Sequence, residues 1–223
     1  MITKYGTKRT DQVSSDMDFG DWGEKTLIPW IENYFNKREQ FKISYWYNSE
    51  YEAIEKLKLK GTQQKLKMKE YDLKFGEYYN KSIFPSREVL FEIKTDKYDY
   101  TGNVAFEKSD KGKPSGVFVT KSNYFIYFMP RFTQDNLYII KSDKLKDLLS
   151  EEKWQIYLRM SGDLGLTANF IIPTNEFNTA FKEAGGRIET YTPNIPEKFN
   201  LSQINTNNKT VYYGKINAKD VDF

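Results

Sequence analysis

In the run Val89-Leu90-Phe91-Glu92-Ile93-Lys94, an acid and an amine stand two positions apart in an otherwise apolar stretch. Strand geometry puts Val89, Phe91 and Ile93 on one face and Glu92 with Lys94 on the other. Charges in so apolar a strand pair with each other, line a site, or do both. Upstream, Asp72 lies in Tyr71-Asp72-Leu73-Lys74-Phe75, a second candidate strand. A hairpin through the intervening GEYYNKSIFPSR would bring it beside Glu92. Two carboxylates held close repel unless a cation sits between them. Together with a substrate phosphate they make an ordinary oxygen set for magnesium. A neighbouring lysine can then orient or deprotonate the attacking water, or stabilise charge at the phosphate.

Glu24 adds a third carboxylate. If residues 18–37 form a helix, positions 27, 28, 31 and 35 fall within about 60° of position 24 on the helical wheel. Glu24 therefore lies inside the apolar stripe, where an unpaired carboxylate is costly, and should meet a cation or a polar site. A frayed first turn, where the helix dipole favours an acid, is the plainer reading.

Composition narrows the chemistry. The chain has no cysteine and no histidine, which excludes disulfides, thiolate and imidazole metal sites, and Ser-His-Asp or Cys-His hydrolysis. A bound metal must be held by oxygen, so magnesium, manganese or calcium is expected. A hydrophobic share of 39% and an aromatic share of 17% over 223 residues are those of a folded protein with a sizeable core. The net charge of +3 and pI near 8.7 suit an acidic polymer as partner without demanding one. No apolar run approaches the roughly 18 residues of a membrane span. The polar start MITKYGTKRT is no signal peptide, so a cytoplasmic location, in a bacterial or phage-infected cell, is expected.

These residues need elements to position them. Residues 1–16 carry no periodic pattern and read as a flexible arm. Residues 18–37 read as a helix with Leu27, Ile28, Ile31 and Phe35 at helical spacing, capped by Asp18 or Asp21 and kinked at Pro29. From Lys56 to Lys69, lysines alternate with Leu57, Leu59, Leu66 and Met68 around Gly61-Thr62-Gln63-Gln64. That period suggests a hairpin whose single lysine face (Lys56, Lys58, Lys60, Lys65, Lys67 and Lys69) would track a polyanion, though a helix pair also fits good helix formers. A solvated, aggregation-resistant edge is the plainer reading of those lysines.

Strands follow at Tyr71–Phe75, Val89–Lys94, Val104–Glu107 and Tyr124–Met129, the last apolar enough to be buried on both faces. A strand–helix unit then occurs twice: Leu137–Ile140 with a helix at Lys144–Glu151, and Asn169–Ile172 with a helix at Asn175–Ala184 ended by Gly185-Gly186. Ser142 and Thr174 are the expected caps. A short strand at Thr210–Lys215 closes the list. The expected fold is α/β with a sheet core. The expected divisions are residues 1–16 as arm, 17–151 as catalytic core, and 152–223 as a C-terminal βα extension packed on it.

The order of these groups, Glu on a first helix, then Asp, then Glu-x-Lys on the next strand, resembles the PD-(D/E)xK nuclease superfamily over residues 18–151. That superfamily includes restriction enzymes, Holliday-junction resolvases and phage exonucleases. The resemblance implies a restriction endonuclease-like mixed sheet flanked by helices, with Asp72 and Glu92 as metal ligands, Glu24 as auxiliary ligand and Lys94 as the lysine of the motif. No proline precedes Asp72, and Glu70 and Glu77 are rivals for its place. Thr101-Gly102-Asn103 with Glu107, then Pro114-Ser115-Gly116 and Thr120-Lys121 before an aromatic strand, resembles a phage-type and bacterial group within the superfamily. Glu107, Thr120 and Lys121 are secondary candidates on that ground. The implied activity is Mg2+-dependent hydrolysis of DNA, with Mn2+ expected to substitute, internal cutting preferred, and a homodimer compatible with paired cuts. Stacking on bases by Tyr78, Tyr79 or Phe84 is a further expectation. The alternatives are a non-catalytic nucleic-acid-binding module of the same fold, or a structural protein in which Glu92 and Lys94 are a surface charge pair.

Overall fold

The computed structural model describes residues 6–37, 45–78, 85–161 and 165–199. Its first element, helix α1 (Gly6–Asn36), runs through Pro29 and starts well before the apolar pattern does. Residues 6–16, expected as a flexible arm, are therefore helical. A helix nucleated by its packed half extends at little further cost. Leu27, Ile28 and Ile31 bury the face that the spacing picks out. At Gly23 the helix comes so close to the sheet that a Cβ would run into the Thr95 side chain.

Strand β1 (Tyr45–Asn48) leads into a short helix α2 (Ser49–Tyr51), started by the Asn48 side chain, which accepts the Tyr51 amide at 2.7 Å. A π-helical turn, Glu52–Lys56, continues it, and α3 (Thr62–Met68) follows a connection with left-handed backbone at Lys58 and Gly61. The expected lysine hairpin at Lys56–Lys69 is thus overturned in favour of helical pieces. Lysine and leucine are good helix formers, and the alternation finds no partner strand to stabilise it. At 100° per residue, Lys65, Lys67 and Lys69 cannot share one face.

Next come β2 (Leu73–Tyr78), β3 (Pro85–Thr95), β4 (Asn103–Asp110), β5 (Lys113–Pro114), β6 (Tyr124–Phe128) and β7 (Leu137–Lys141). They are followed by α4 (Ser142–Leu149), β8 (Leu158–Ser161), β9 (Thr167–Pro173), α5 (Thr174–Glu183) and β10 (Arg187–Glu189). One sheet has the order β1-β2-β3-β6-β7-β10 and the other β5-β4-β9-β8. Among the described residues only β3 and β6 run parallel. The chain is a mixed α/β protein with two sheets.

The six-stranded sheet separates two cores. Phe91, Ile93, Ile126 and Phe128 pack with α1 on one side, whereas Phe125 and Tyr127 pack with β4, β9, α4 and α5 on the other. Strand β6 is buried on both faces, as its unbroken apolar run requires.

The two strand–helix units are present but belong to different sheets. Ser142 and Thr174 are the first helical residues rather than caps. The Ser142 hydroxyl bonds that of Ser122 at 2.8 Å, and the Thr174 hydroxyl donates to Gly102 O at 3.1 Å. Beyond residue 151, β9 pairs with β4 and β10 with β7, and one compact unit extends to Pro193. Of the second unit, Asn194–Phe223, the described part contains a single 3-10 turn at Glu197–Phe199. The strand expected at Thr210–Lys215, together with Tyr79 and Phe84, lies outside the described residues.

Candidate functional site

Strand β3 presents its side chains as alternation dictates. Val89, Phe91 and Ile93 face α1, leaving Glu92 and Lys94 on the opposite face, alongside Phe125 and Tyr127 of β6. Leu73 pairs with Phe91, so Asp72, which directly precedes β2, faces Glu92. The Asp72 amide donates to Phe91 O at 2.8 Å, and its carboxylate accepts the Ile93 amide at 2.6 Å. A side-chain oxygen thus takes over from the backbone ladder where β2 begins.

Glu24 on α1 adds a third acid, whose charge acts on Asp72 and which feels that of Glu92. Burial, then Glu92, then Glu24 raise the Asp72 carboxyl well above the usual carboxylate range; the Ile93 amide opposes them. Glu24 is pushed up to about 7 by burial, then by Asp21 and Glu92. Glu92 is raised by burial, against the Thr120 hydroxyl and the charge of Lys146. Each acid is poorly hydrated, and neighbouring negative charge adds to the load on Asp72 and Glu24.

Thr120, one of the secondary candidates, sits in this site. Its hydroxyl lies 2.9 Å from Glu92 Oε2. Lys146, which no pattern in the sequence marks, donates to Thr120 O at 2.8 Å and is the cation acting on Glu92. Only the packing of α4 against the sheet reveals it. Asp21 was legible: it stands three positions before Glu24 and so on the same helix face.

Lys94 shares the face of Glu92 but points its amine elsewhere. Its Nζ donates to Ala105 O on β4 at 2.7 Å and lies 5.8 Å from the centre of the Tyr127 ring. Tyr127 accepts the Ala105 amide at 2.8 Å through the hydroxyl it donates to Asp96. Burial lowers the proton affinity of Lys94, while Asp96 and Glu107 work to raise it. Glu107 therefore neighbours Lys94 rather than the three acids.

The other candidates fall outside. Lys121 is exposed and pairs with Glu70 at 2.8 Å. Glu70 also pairs with Lys67, so it competes poorly with Asp72 for the metal role. Glu77 stands opposite Arg87, further along the hairpin from Glu92. Of the six lysines, Lys67 is drawn into ion pairs with Glu52 and Glu70, while Lys56, Lys58, Lys60, Lys65 and Lys69 are exposed.

Asp72 and Glu92 supply the hard oxygen donors that magnesium takes, and each has an elevated proton affinity that a cation would relieve. Among the described residues no three acids form a ready-made cage. Magnesium asks for less, since it commonly takes one or two carboxylates and completes its shell with water and phosphate.

Comparison of the chain with known protein families, curated proteins and solved structures finds no match. Among the described residues, no helix is long and apolar enough to cross a membrane.

Proposed function

We propose that this chain is a magnesium-dependent nuclease that hydrolyses DNA phosphodiester bonds, cutting internally. The observation that carries the reading is the convergence of Asp72 and Glu92 from paired strands with Glu24 from α1, each raised in proton affinity by burial. Such a cluster is unfavourable for the apo protein and is relieved by a divalent cation. Asp72 and Glu92 are the ligands, with Glu24 acting directly or through water. Magnesium would supply charge to the phosphate and acidity to a bound water.

Lys94 brings an amine whose ammonium form is weakened by burial. One of its donors is taken by Ala105 O. The Thr120 hydroxyl bonds the Glu92 carboxylate, and the charge of Lys146 acts on it.

A second reading, a nucleic-acid-binding module without catalysis, draws on the engagement of Lys94 with Ala105, Asp96 and Glu107 instead of Glu92. Supercoiled plasmid incubated with the protein, in magnesium or in EDTA, separates the two. Nicking or linearisation in magnesium alone, lost in Glu92→Ala and Lys94→Ala with DNA binding retained, is the expected result. Both variants cutting like wild type would remove the site. Salt-sensitive binding without cutting would select the second reading.

A further inference from the structure

The segment between β1 and β2 packs with its polar side inward. No residue of α3 is buried, and its Leu66 is 62% exposed. The intervening Lys67 side chain is only 21% exposed and reaches inward to Glu52 at 3.3 Å and Glu70 at 3.0 Å. Glu52 is itself buried, bound by Lys74 and by the Tyr71 hydroxyl. Ion pairs thus dock this arm on the sheet, while Tyr51, Ile54, Leu57, Leu66 and Met68 are left exposed. Lys56, Lys58, Lys60, Lys65 and Lys69 are exposed among them. Large apolar side chains kept in water beside buried charge disfavour the isolated protein on both counts and mark a surface that something covers.

We propose that this arm, residues 49–70, binds an unpaired nucleic-acid strand and leads it to the Asp72–Glu92 site. The direction of the strand rests on the nuclease reading; the surface itself does not. The five exposed lysines outnumber the exposed Glu50 and Glu55 and suit a polyanion. The exposed apolar side chains, Tyr51 among them, suit a partner that offers flat apolar groups between its phosphates. A duplex hides its base faces and would satisfy only the lysines, whereas a single strand offers both. Continuity with the acid cluster favours a strand over an anionic lipid surface. Lys67 and Lys121 both hold Glu70, close before Asp72, and Lys121 directly follows Thr120, which bonds Glu92.

Fluorescence anisotropy in EDTA, with labelled oligothymidylate and a duplex of equal length, tests this without cutting. Single strand should bind at least about tenfold more tightly than duplex. Leu57→Ser with Leu66→Ser, both on exposed positions, should weaken single-strand binding about tenfold and leave duplex binding unchanged. Lys58→Gln with Lys65→Gln should weaken both forms and flatten the salt dependence by about two charges. Equal affinity for the two forms, or no effect of the leucine changes, overturns the proposal. So does leucine-dependent binding to phosphatidylserine vesicles in place of oligonucleotide, or a dimer that the leucine changes dissolve. Absence of plasmid cutting with single-strand binding intact would instead count against the nuclease reading alone.

Discussion

Asp72 faces Glu92 across the start of the β2–β3 pair, and its carboxylate holds the Ile93 amide at 2.6 Å. One side chain therefore has two tasks: finishing the ladder and contributing charge to the acid cluster. Substitutions can separate them. Asp72→Asn keeps an oxygen for Ile93 and removes the charge, so the metal-free protein should be as stable as wild type or more so near neutral pH, while cutting is lost. Asp72→Ala leaves the amide without its acceptor and should cost about 1–3 kcal/mol. Thermal unfolding in EDTA beside plasmid cutting in magnesium checks both.

Glu24 gives the cluster a pH dependence. Its carboxyl is raised from 4.5 to about 7. Below about pH 4.5 it is protonated in folded and unfolded chains alike. As pH rises towards 7 the unfolded chain ionises first, so stability falls through that window, by roughly 1–3 kcal/mol at most. Magnesium bound by this site would reverse the loss. The rise in Tm on adding magnesium should therefore be larger at about pH 8 than at about pH 5, and Glu24→Gln should flatten the difference. An equal rise at both pH values contradicts this role for Glu24.

The Thr120 hydroxyl lowers the proton affinity of Glu92 against the effect of burial. Removing it in Thr120→Val should move the acidic limb of the pH–activity profile upward, and Thr120→Ser should restore it. A uniform fall in rate with no shift of that limb would leave Thr120 a purely structural role.

The Glu52–Lys74 pair supplies a control on the fold. Both side chains are buried, 2.5 Å apart. Glu52→Gln removes the nearer of two carboxylates from Lys74, which keeps Glu88 at 3.3 Å, and should destabilise by about 1–3 kcal/mol. Replacing both by methionine should recover much of the loss, as read by urea unfolding.

The acid cluster and its strands were legible because alternation and helical spacing are local rules. Glu92 and Lys94 had to share a face, and Glu24 had to lie in the stripe of Leu27, Ile28 and Ile31. The run Tyr124–Met129 announced a strand buried on both sides. What the sequence could not settle depended on tertiary partners. The lysine alternation favours a hairpin over a helix pair, and the docking of Glu52 onto Lys67 and Lys74 reverses that preference. Lys94 reached Ala105 rather than Glu92 because β4 joins a second sheet that packs against this face. Lys146 came into the site through α4, with no short-range pattern to signal it. Likewise β9 and β10 find their partners in β4 and β7, far back in the chain, which no local pattern announces.

Anomalous diffraction from crystals grown with manganese addresses the metal site most directly. A peak bound by carboxylate oxygens of both Asp72 and Glu92, with Glu24 either on the ion or one water away, is the expected result. A well-occupied manganese site elsewhere, with Asp72 and Glu92 left unligated in active protein, would contradict it.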